Sequence, residues 1–285
     1  MTTIAVIAMG EMGSGIAKRL SERGARIITF LAGRSELSVE RARKAGAEPV
    51  TYDTLVGTAD IFLSIVPPAS AKEVAARFLD AAKGKPQGPV YIDCNAIAPS
   101  TLLDIGQSFS EAGLAFGDGS IIGSAPVGDK TGPRVYLSGP IKPFEDVLRR
   151  YGLDARWLSP QLGDASALKM SYSGIGKGFQ ALGTAMAIGA DRAGVLRHLI
   201  DELNISEPQF YAWFQKMLPA MQAKAYRWDG EMLEISKFLE LEPGSAEIFQ
   251  GAASLYRHVA EDHRTGPTSE IVSILQRFVG DRTIG

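Results

Sequence analysis

Thr3–Ala8 is an unbroken apolar run rich in Ile and Val, the pattern of a strand buried on both faces. From Glu11 to Arg23 the apolar positions change to helical spacing, through Met12, Ile16, Ala17 and Leu20, and Gly24 ends the run. The alternation then repeats. Arg26–Leu31 predicts a strand, and Ser35 caps a helix that ends near Gly46. Ile61–Val66 is a strand closed by Pro67-Pro68, and Ala71–Ala82 is helical. Pro89–Cys94 is a strand, followed by a helix over Pro99–Ala112 with its proline at the start. Short strands are expected at Leu114–Gly117, Arg134–Ser138 and Ala155–Leu158, with a helix over Ile141–Tyr151 between the last two. Strands and helices joined by short connections imply a mostly parallel sheet covered on both faces. After about Gly163 strand signals cease and helical runs continue to the end, broken at Gly194, near Asn204–Pro208 and at Pro243-Gly244. The expected organisation is an α/β Rossmann-type domain over 1–162 and an all-α domain over 163–285.

Composition narrows the function classes. The 285 residues are 45% hydrophobic and 22% charged with a net charge of -2, so no strong field invites nucleic acid or an anionic membrane. Cys94 is the sole cysteine, which removes internal disulfides and thiolate clusters. The least charged stretch, Met170–Ala190, is long enough for a membrane span but carries Lys177, Gln180 and several glycines, and reads as a buried helix. No basic leader precedes the apolar start, so the expected location is the cytoplasm. His198, His258 and His263 have no metal-pair spacing, and no metal is expected.

The segment joining the first strand to the first helix carries the first candidate chemistry. Ala8-Met9-Gly10-Glu11-Met12-Gly13 is a glycine fingerprint with alanine at its first position. Glycine is needed where the backbone approaches a pyrophosphate and where helix and strand pack closely, and the helix start turns unpaired N–H groups and a positive dipole end toward the phosphates. Gly10 and Gly13 occupy those places, and Ala8 carries a cost only if that position needs a positive φ. The flanking strand and amphipathic helix supply the context that the motif requires. At the end of the next strand, Gly33-Arg34-Ser35 puts an arginine where an acidic residue would hold the ribose hydroxyls of NAD. A guanidinium there suits a 2′-phosphate, with the Ser35 hydroxyl beside it, and predicts NADP over NAD.

These pieces, in this order, resemble the β-hydroxyacid dehydrogenase family, which includes 3-hydroxyisobutyrate and 6-phosphogluconate dehydrogenases. The opening loop resembles its G-x-G-x-M-G, and Gly33-Arg34-Ser35 its N-R-[TS] segment. Asp93-Cys94-Asn95-Ala96-Ile97-Ala98-Pro99 is similar to its D-x-S-T-x-x-P strand end. Gly163-Asp164-Ala165-Ser166-Ala167-Leu168-Lys169 is similar to the start of its interdomain helix, where the resemblance places the catalytic lysine. The stretch Lys224–Met232 looks like the C-terminal domain of a less characterised branch. The substrate loop D-x-P-V-S-G-G is here Asp118-Gly119-Ser120-Ile121-Ile122-Gly123-Ser124, with Ile122 in place of the serine, and the asparagine four residues after the lysine is here Ser173.

Lys169 stands among Ala165, Ser166, Ala167, Leu168, Met170 and Ser171, a poor setting for a surface lysine that strips solvent from its amine. Such a lysine takes a proton from an alcohol or returns one to a carbonyl, and Ser173, a helical turn on, is placed to assist. The resemblance sets the turn Val66-Pro67 and Asn95 against the nicotinamide. It gives Ile122, Gly123, Ser124, Lys169 and Arg227 to the substrate. The expected function is NAD(P)-dependent interconversion of a small hydroxy acid and its aldehyde or keto form, in a homodimer. The rivals are an imine reductase, against which Lys169 speaks, and a non-catalytic NADPH-binding regulator, which Ala8 and the altered loop motivate.

Overall fold

A computed structural model describes residues 1–85, 88–126 and 132–280. The chain divides into two compact units, 1–170 and 171–285.

The first unit alternates as the apolar runs require. Its elements are β1 (Thr3–Ile7), α1 (Glu11–Glu22), β2 (Arg26–Thr29), α2 (Glu36–Lys44), β3 (Glu48–Pro49), α3 (Tyr52–Thr58) and β4 (Ile61–Ser64). Then follow α4 (Ala71–Ala82), β5 (Val90–Asp93), α5 (Pro99–Glu111), β6 (Phe116–Ile122), β7 (Arg134–Ser138), α6 (Pro143–Arg150) and β8 (Asp154–Ser159). The eight strands form one sheet in the order β3-β2-β1-β4-β5-β6-β7-β8. Only β6 and β7 run antiparallel. The strand order reverses between β1 and β4, and the crevice beyond their C-terminal ends is where open α/β sheets take ligands.

Every residue of β1, β4, β5 and β6 is buried. On one face Ile4 and Val6 pack with Ile16, Ala17 and Leu20 of α1. On the other, an aromatic column fixes α4 and α5 to the strands. Phe62 lies 4.9 Å from both Phe78 and Tyr91, and Tyr91 lies 4.7 Å from Phe109. Such pairs contribute about 0.5–1.5 kcal/mol each beyond area burial.

The structure departs from the sequence reading at β6. This strand runs to Ile122 rather than ending at Gly117, because Asp118 and Ser120, which break the apolar pattern, lie within the sheet. The short β3 and the helix α3, capped by the Thr51 hydroxyl accepting from Thr54 N, also join the predicted elements.

A long helix, α7 (Asp164–Arg192), begins in the first unit. The division falls within it because its first turn is tied to β6 and β7, as described below. The second unit continues α7 and adds α8 (Leu196–Ser206), α9 (Pro208–Gln222), α10 (Trp228–Phe238), α11 (Pro243–Thr265) and α12 (Glu270–Val279). Two small-residue positions of α7 serve close packing here. A methyl on Gly183 would lie 2.5 Å from the Phe214 ring, and one on Gly174 would lie 3.3 Å from Phe249. Lys177 pairs with Glu231 and sits 4.9 Å from the Trp228 ring centre.

One correction concerns the face of α7. The weakly charged stretch reads as a buried helix, yet Tyr172, Ile175, Phe179, Leu182 and Met186 are 44–66% exposed. Among the described residues no helix is long and apolar enough to cross a membrane.

Candidate functional site

β1 delivers the chain to the crevice at Ile7. Gly10 then takes the N-cap position of α1 in an extended conformation, with no side-chain cap. The N–H groups of that first turn have no acceptor within the helix and form the positive end of its dipole. Gly10 is exposed, and a Cβ there would meet nothing within 4 Å, which leaves room for an anion. Gly13 is the opposite case, since its Cβ would lie 1.9 Å from the Ala8 carbonyl oxygen. Any side chain at Gly13 forces α1 away from β1. Ala8 carries no left-handed strain, because no described residue other than glycine has a positive φ. Its N–H donates to Ile65 O at 3.1 Å, which ties the loop to the strand across the switch point. Met9 is buried beneath the loop, whereas Glu11 is exposed and Met12 half-buried. An uncapped helix start behind an open glycine leaves both donors and room for an anion.

At the end of β2, Gly33 turns the chain with φ +73° and leaves Arg34 exposed. The Ser35 hydroxyl accepts from Ser38 N and so caps α2. The sequence reading missed a second cation here. The Arg77 guanidinium of α4 lies 4.3 Å from the ring centres of both Phe30 and Tyr52. Burial pushes the Tyr52 phenol up to about 12, while the charges of Arg77 and Arg34 pull it down. Both guanidinium groups therefore act on one ring beside the β2 end. Nothing in the one-dimensional pattern distinguishes Arg77 from a solvated helix residue.

The ends of β4 and β5 are clipped together by Asn95, which is 3% exposed. Its Oδ1 accepts from Val66 N at 2.7 Å, its Nδ2 donates to Ser64 Oγ at 3.0 Å, and its own N–H donates to Asp93 Oδ1 at 2.9 Å. The Asn95 amide thus sets the turn Val66-Pro67 rather than standing free in the crevice. Burial pushes the Asp93 carboxyl up to about 7; the N–H of Asn95 opposes this and the charge of Asp118 adds to it. Burial also pushes the Cys94 thiol well above its usual range, which makes it an inert packing group.

Lys169 lies in the second turn of α7, half-buried, and its Nζ donates to Ile121 O at 2.6 Å. This carbonyl belongs to the last turns of β6, next to the segment expected to contact substrate. Ile122, expected at the substrate, is 3% exposed, with its side chain packed in the core. Gly123, with φ +123°, and Ser124 are exposed. Beyond them Ala125 and Pro126 rest on α1, where a Cβ at Gly15 would lie 2.9 Å from Pro126 Cδ. The segment leaving β6 therefore returns over the helix that carries the glycine loop.

Strand register sets a row of polar residues across the sheet. Ser64 pairs with Asp93, Asp93 with Asp118, Asp118 with Ser138, and Ser138 with Ser159. Asp118 Oδ2 accepts from Ser138 Oγ and Ser166 N, each at 2.9 Å, and its Oδ1 accepts from Ser166 Oγ at 2.7 Å. Ser138 Oγ also accepts from Ala165 N at 3.1 Å. The sequence pattern gives Asp118 no role, because the apolar run stops at Gly117 and the acid looks like part of a loop; inside the folded strand it must find donors.

In the second unit Ser173 is buried, and Arg227 is exposed in a short 3-10 turn before α10. His198, His258 and His263 are all exposed. Among the described residues no group of His, Cys, Asp and Glu could hold a metal.

A family model described as NADP oxidoreductase, coenzyme F420-dependent, matches residues 3–97, and one described as a domain of unknown function, DUF1932, matches residues 190–259. An uncharacterised oxidoreductase of Synechocystis is 30% identical over 154 residues, 52% of each chain. A solved protein of unknown function, itself described as structurally similar to 3-hydroxyacid dehydrogenases, is 27% identical with a TM-score of 0.66, covering 90% of this chain and 99% of its own. The 3-hydroxyisobutyrate dehydrogenase of Mycobacterium tuberculosis, solved with L-serine, shares the fold at a TM-score of 0.69 and 16% identity, covering 97% of this chain and 99% of its own.

Proposed function

We propose that this chain, whose segments are the NAD-binding and C-terminal domains of 3-hydroxyisobutyrate dehydrogenase-like proteins, is an NAD(P)-dependent oxidoreductase that prefers NADP. Its reaction interconverts a small hydroxy acid and its aldehyde or keto form. The observation that carries the reading is the placement of the Lys169 amine. It is held on the Ile121 carbonyl, at the end of the strand whose continuation rests on the helix behind the glycine loop.

The residues divide the work. Gly10 and the first turn of α1 receive the pyrophosphate, and Gly13 lets that helix approach β1 closely enough to present it. Arg34 pairs with the 2′-phosphate, which supports NADP over NAD. The Val66-Pro67 turn, set by Asn95, lines the nicotinamide end. A bound nicotinamide supplies or accepts the hydride. Lys169 moves the proton: as a neutral amine it takes one from the alcohol during oxidation, and as an ammonium it returns one to the carbonyl during reduction. The hydrogen bond to Ile121 O fixes the amine at the end of β6. The lysine also speaks against imine reduction. Because Ala8 has no positive φ, the alanine by itself lends little support to a non-catalytic regulator.

The protein works as a homodimer. On α7 the exposed residues 172, 175, 179, 182 and 186 are spaced alternately by three and four, the seam that a helix presents to a second copy of itself.

The test is NADPH binding by fluorescence, followed by a screen of small hydroxy acids and aldehydes with wild type and Lys169→Ala. Wild type turns over at least one compound, whereas Lys169→Ala binds NADPH normally and loses about 10²–10⁴ in rate, the range of general acid–base catalysis. A variant at full rate removes the proton-transfer assignment. In parallel, Arg34→Ala weakens NADPH far more than NADH; equal losses remove the 2′-phosphate assignment.

A further inference from the structure

We infer that Asp118 is the positioning residue for Lys169, its carboxylate fastening the first turn of α7 to β6 so that the amine meets the Ile121 carbonyl of the same strand. The inference deepens the proton-transfer reading and rests on it for its functional meaning, though the geometry stands by itself.

Strand and helix form a closed circuit. Asp118 on β6 accepts both Ser166 N and Ser166 Oγ. Ser166 lies three residues before Lys169, so the two are neighbours on the helix surface, about one turn apart. Lys169 then donates back to β6, three residues beyond Asp118. A helix held to a strand at one point can swing and roll; held at two points, it cannot roll without breaking one of them. The second point is a single hydrogen bond to a flexible lysine. The first combines two charge-assisted bonds to Ser166 with the favourable end of a helix dipole, and is the stronger. Asp118 therefore sets the roll of α7 and the lysine follows it.

The choice of residue supports this assignment. A carboxylate in a fully buried strand is costly to desolvate. A serine or asparagine would satisfy one helix N–H at lower cost. Only a carboxylate takes Ser138 Oγ, Ser166 N and Ser166 Oγ together, joining β6, β7 and α7 at one point. The groups facing it are those hydroxyls, the Gly163 backbone and, on the adjoining strand, Asp93.

Competitive labelling of the full-length protein with trace acetic anhydride, resolved by peptide mass mapping over pH 6–11, reads the environment of each lysine amine without any substrate. Wild-type Lys169 is protected relative to the exposed Lys18. Ser166→Ala and Asp118→Asn raise the Lys169 labelling rate roughly tenfold, the equilibrium worth of one hydrogen bond to a charged group. They also move its pH profile toward that of Lys18, while Lys177 is unchanged. Ser166→Thr keeps the hydroxyl and retains the wild-type profile. A correctly folded Ser166→Ala protein with wild-type labelling of Lys169 overturns the proposal, whether or not Asp118→Asn folds. Because labelling does not depend on turnover, a failure of the proton-transfer reading shows only in the Lys169→Ala rate and stays distinct from this outcome.

Discussion

Asp93 offers a measurement that isolates one buried proton. Its carboxyl is fully buried at the end of β5, with Oδ1 accepting the Asn95 N–H and Oδ2 without a partner. Burial raises it from 3.8 to about 7. In the unfolded chain it titrates near the ordinary carboxylate value of about 3.9. The folded state therefore binds the proton more tightly, and stability falls as pH rises from the unfolded value through the folded one. The interval is about three pH units, and at ~1.4 kcal/mol per unit the total penalty reaches ~4 kcal/mol above pH 7. Most of it, ~3 kcal/mol, accrues between pH 5 and 8. Asp93→Asn fixes the neutral form. The amide oxygen keeps the Asn95 bond, and the NH2 group left without an acceptor costs about 1–3 kcal/mol at every pH. Urea unfolding at pH 5, 6.5 and 8 should show the variant weaker than wild type in acid, with the gap closing or reversing toward pH 8. Parallel stability profiles for the two proteins across that range would refute the assignment of a neutral Asp93 in the folded state.

The glycine loop and the exposed face of α7 supply two further tests. Gly13→Ala sets a methyl against the Ala8 carbonyl and should cost roughly 1–3 kcal/mol of overpacking with loss of NADPH binding, read by thermal unfolding and fluorescence titration. Ala8→Gly should restore the familiar fingerprint yet leave NADPH affinity within about twofold, since the position needs no positive φ. Wild type should sediment as a dimer, and Ile175→Glu with Leu182→Glu, placing charges in the exposed stripe, should sediment as a monomer with unchanged helical content. A wild-type monomer at micromolar concentration removes the second copy as its occupant.

Much of the fold was readable because burial on both faces leaves an unbroken apolar signature. β1, β4 and β5 appear as Ile- and Val-rich runs, and the glycine loop follows β1 directly. β3 escaped because it has only two residues, one of them proline. The end of β6 escaped because Asp118, Gly119 and Ser120 resemble a loop; the Asp118 carboxylate finds its partners on β7 and α7, twenty or more positions away in the chain. The composition of α7 announced a helix but not which side meets solvent, since an apolar stripe reads the same whether it faces a core or another molecule. For the site, Arg34 and Lys169 were visible as wrong-looking residues for their surroundings. Arg77 and Ser166 looked ordinary, and only the folded chain brings one onto two aromatic rings and the other onto Asp118.

The polar row from Ser64 to Ser159 has a consequence for anyone redesigning this protein. Asp118 and Ser138 lean on each other across the β6–β7 boundary, so converting either one alone to valine or leucine leaves the other's hydroxyl or carboxylate short of a partner in hydrocarbon. Libraries that randomise these positions one at a time will return mostly dead clones. Paired or block exchanges spanning adjoining strands are the productive unit of variation, and the same coupling should make divergence along this line concerted across natural variants.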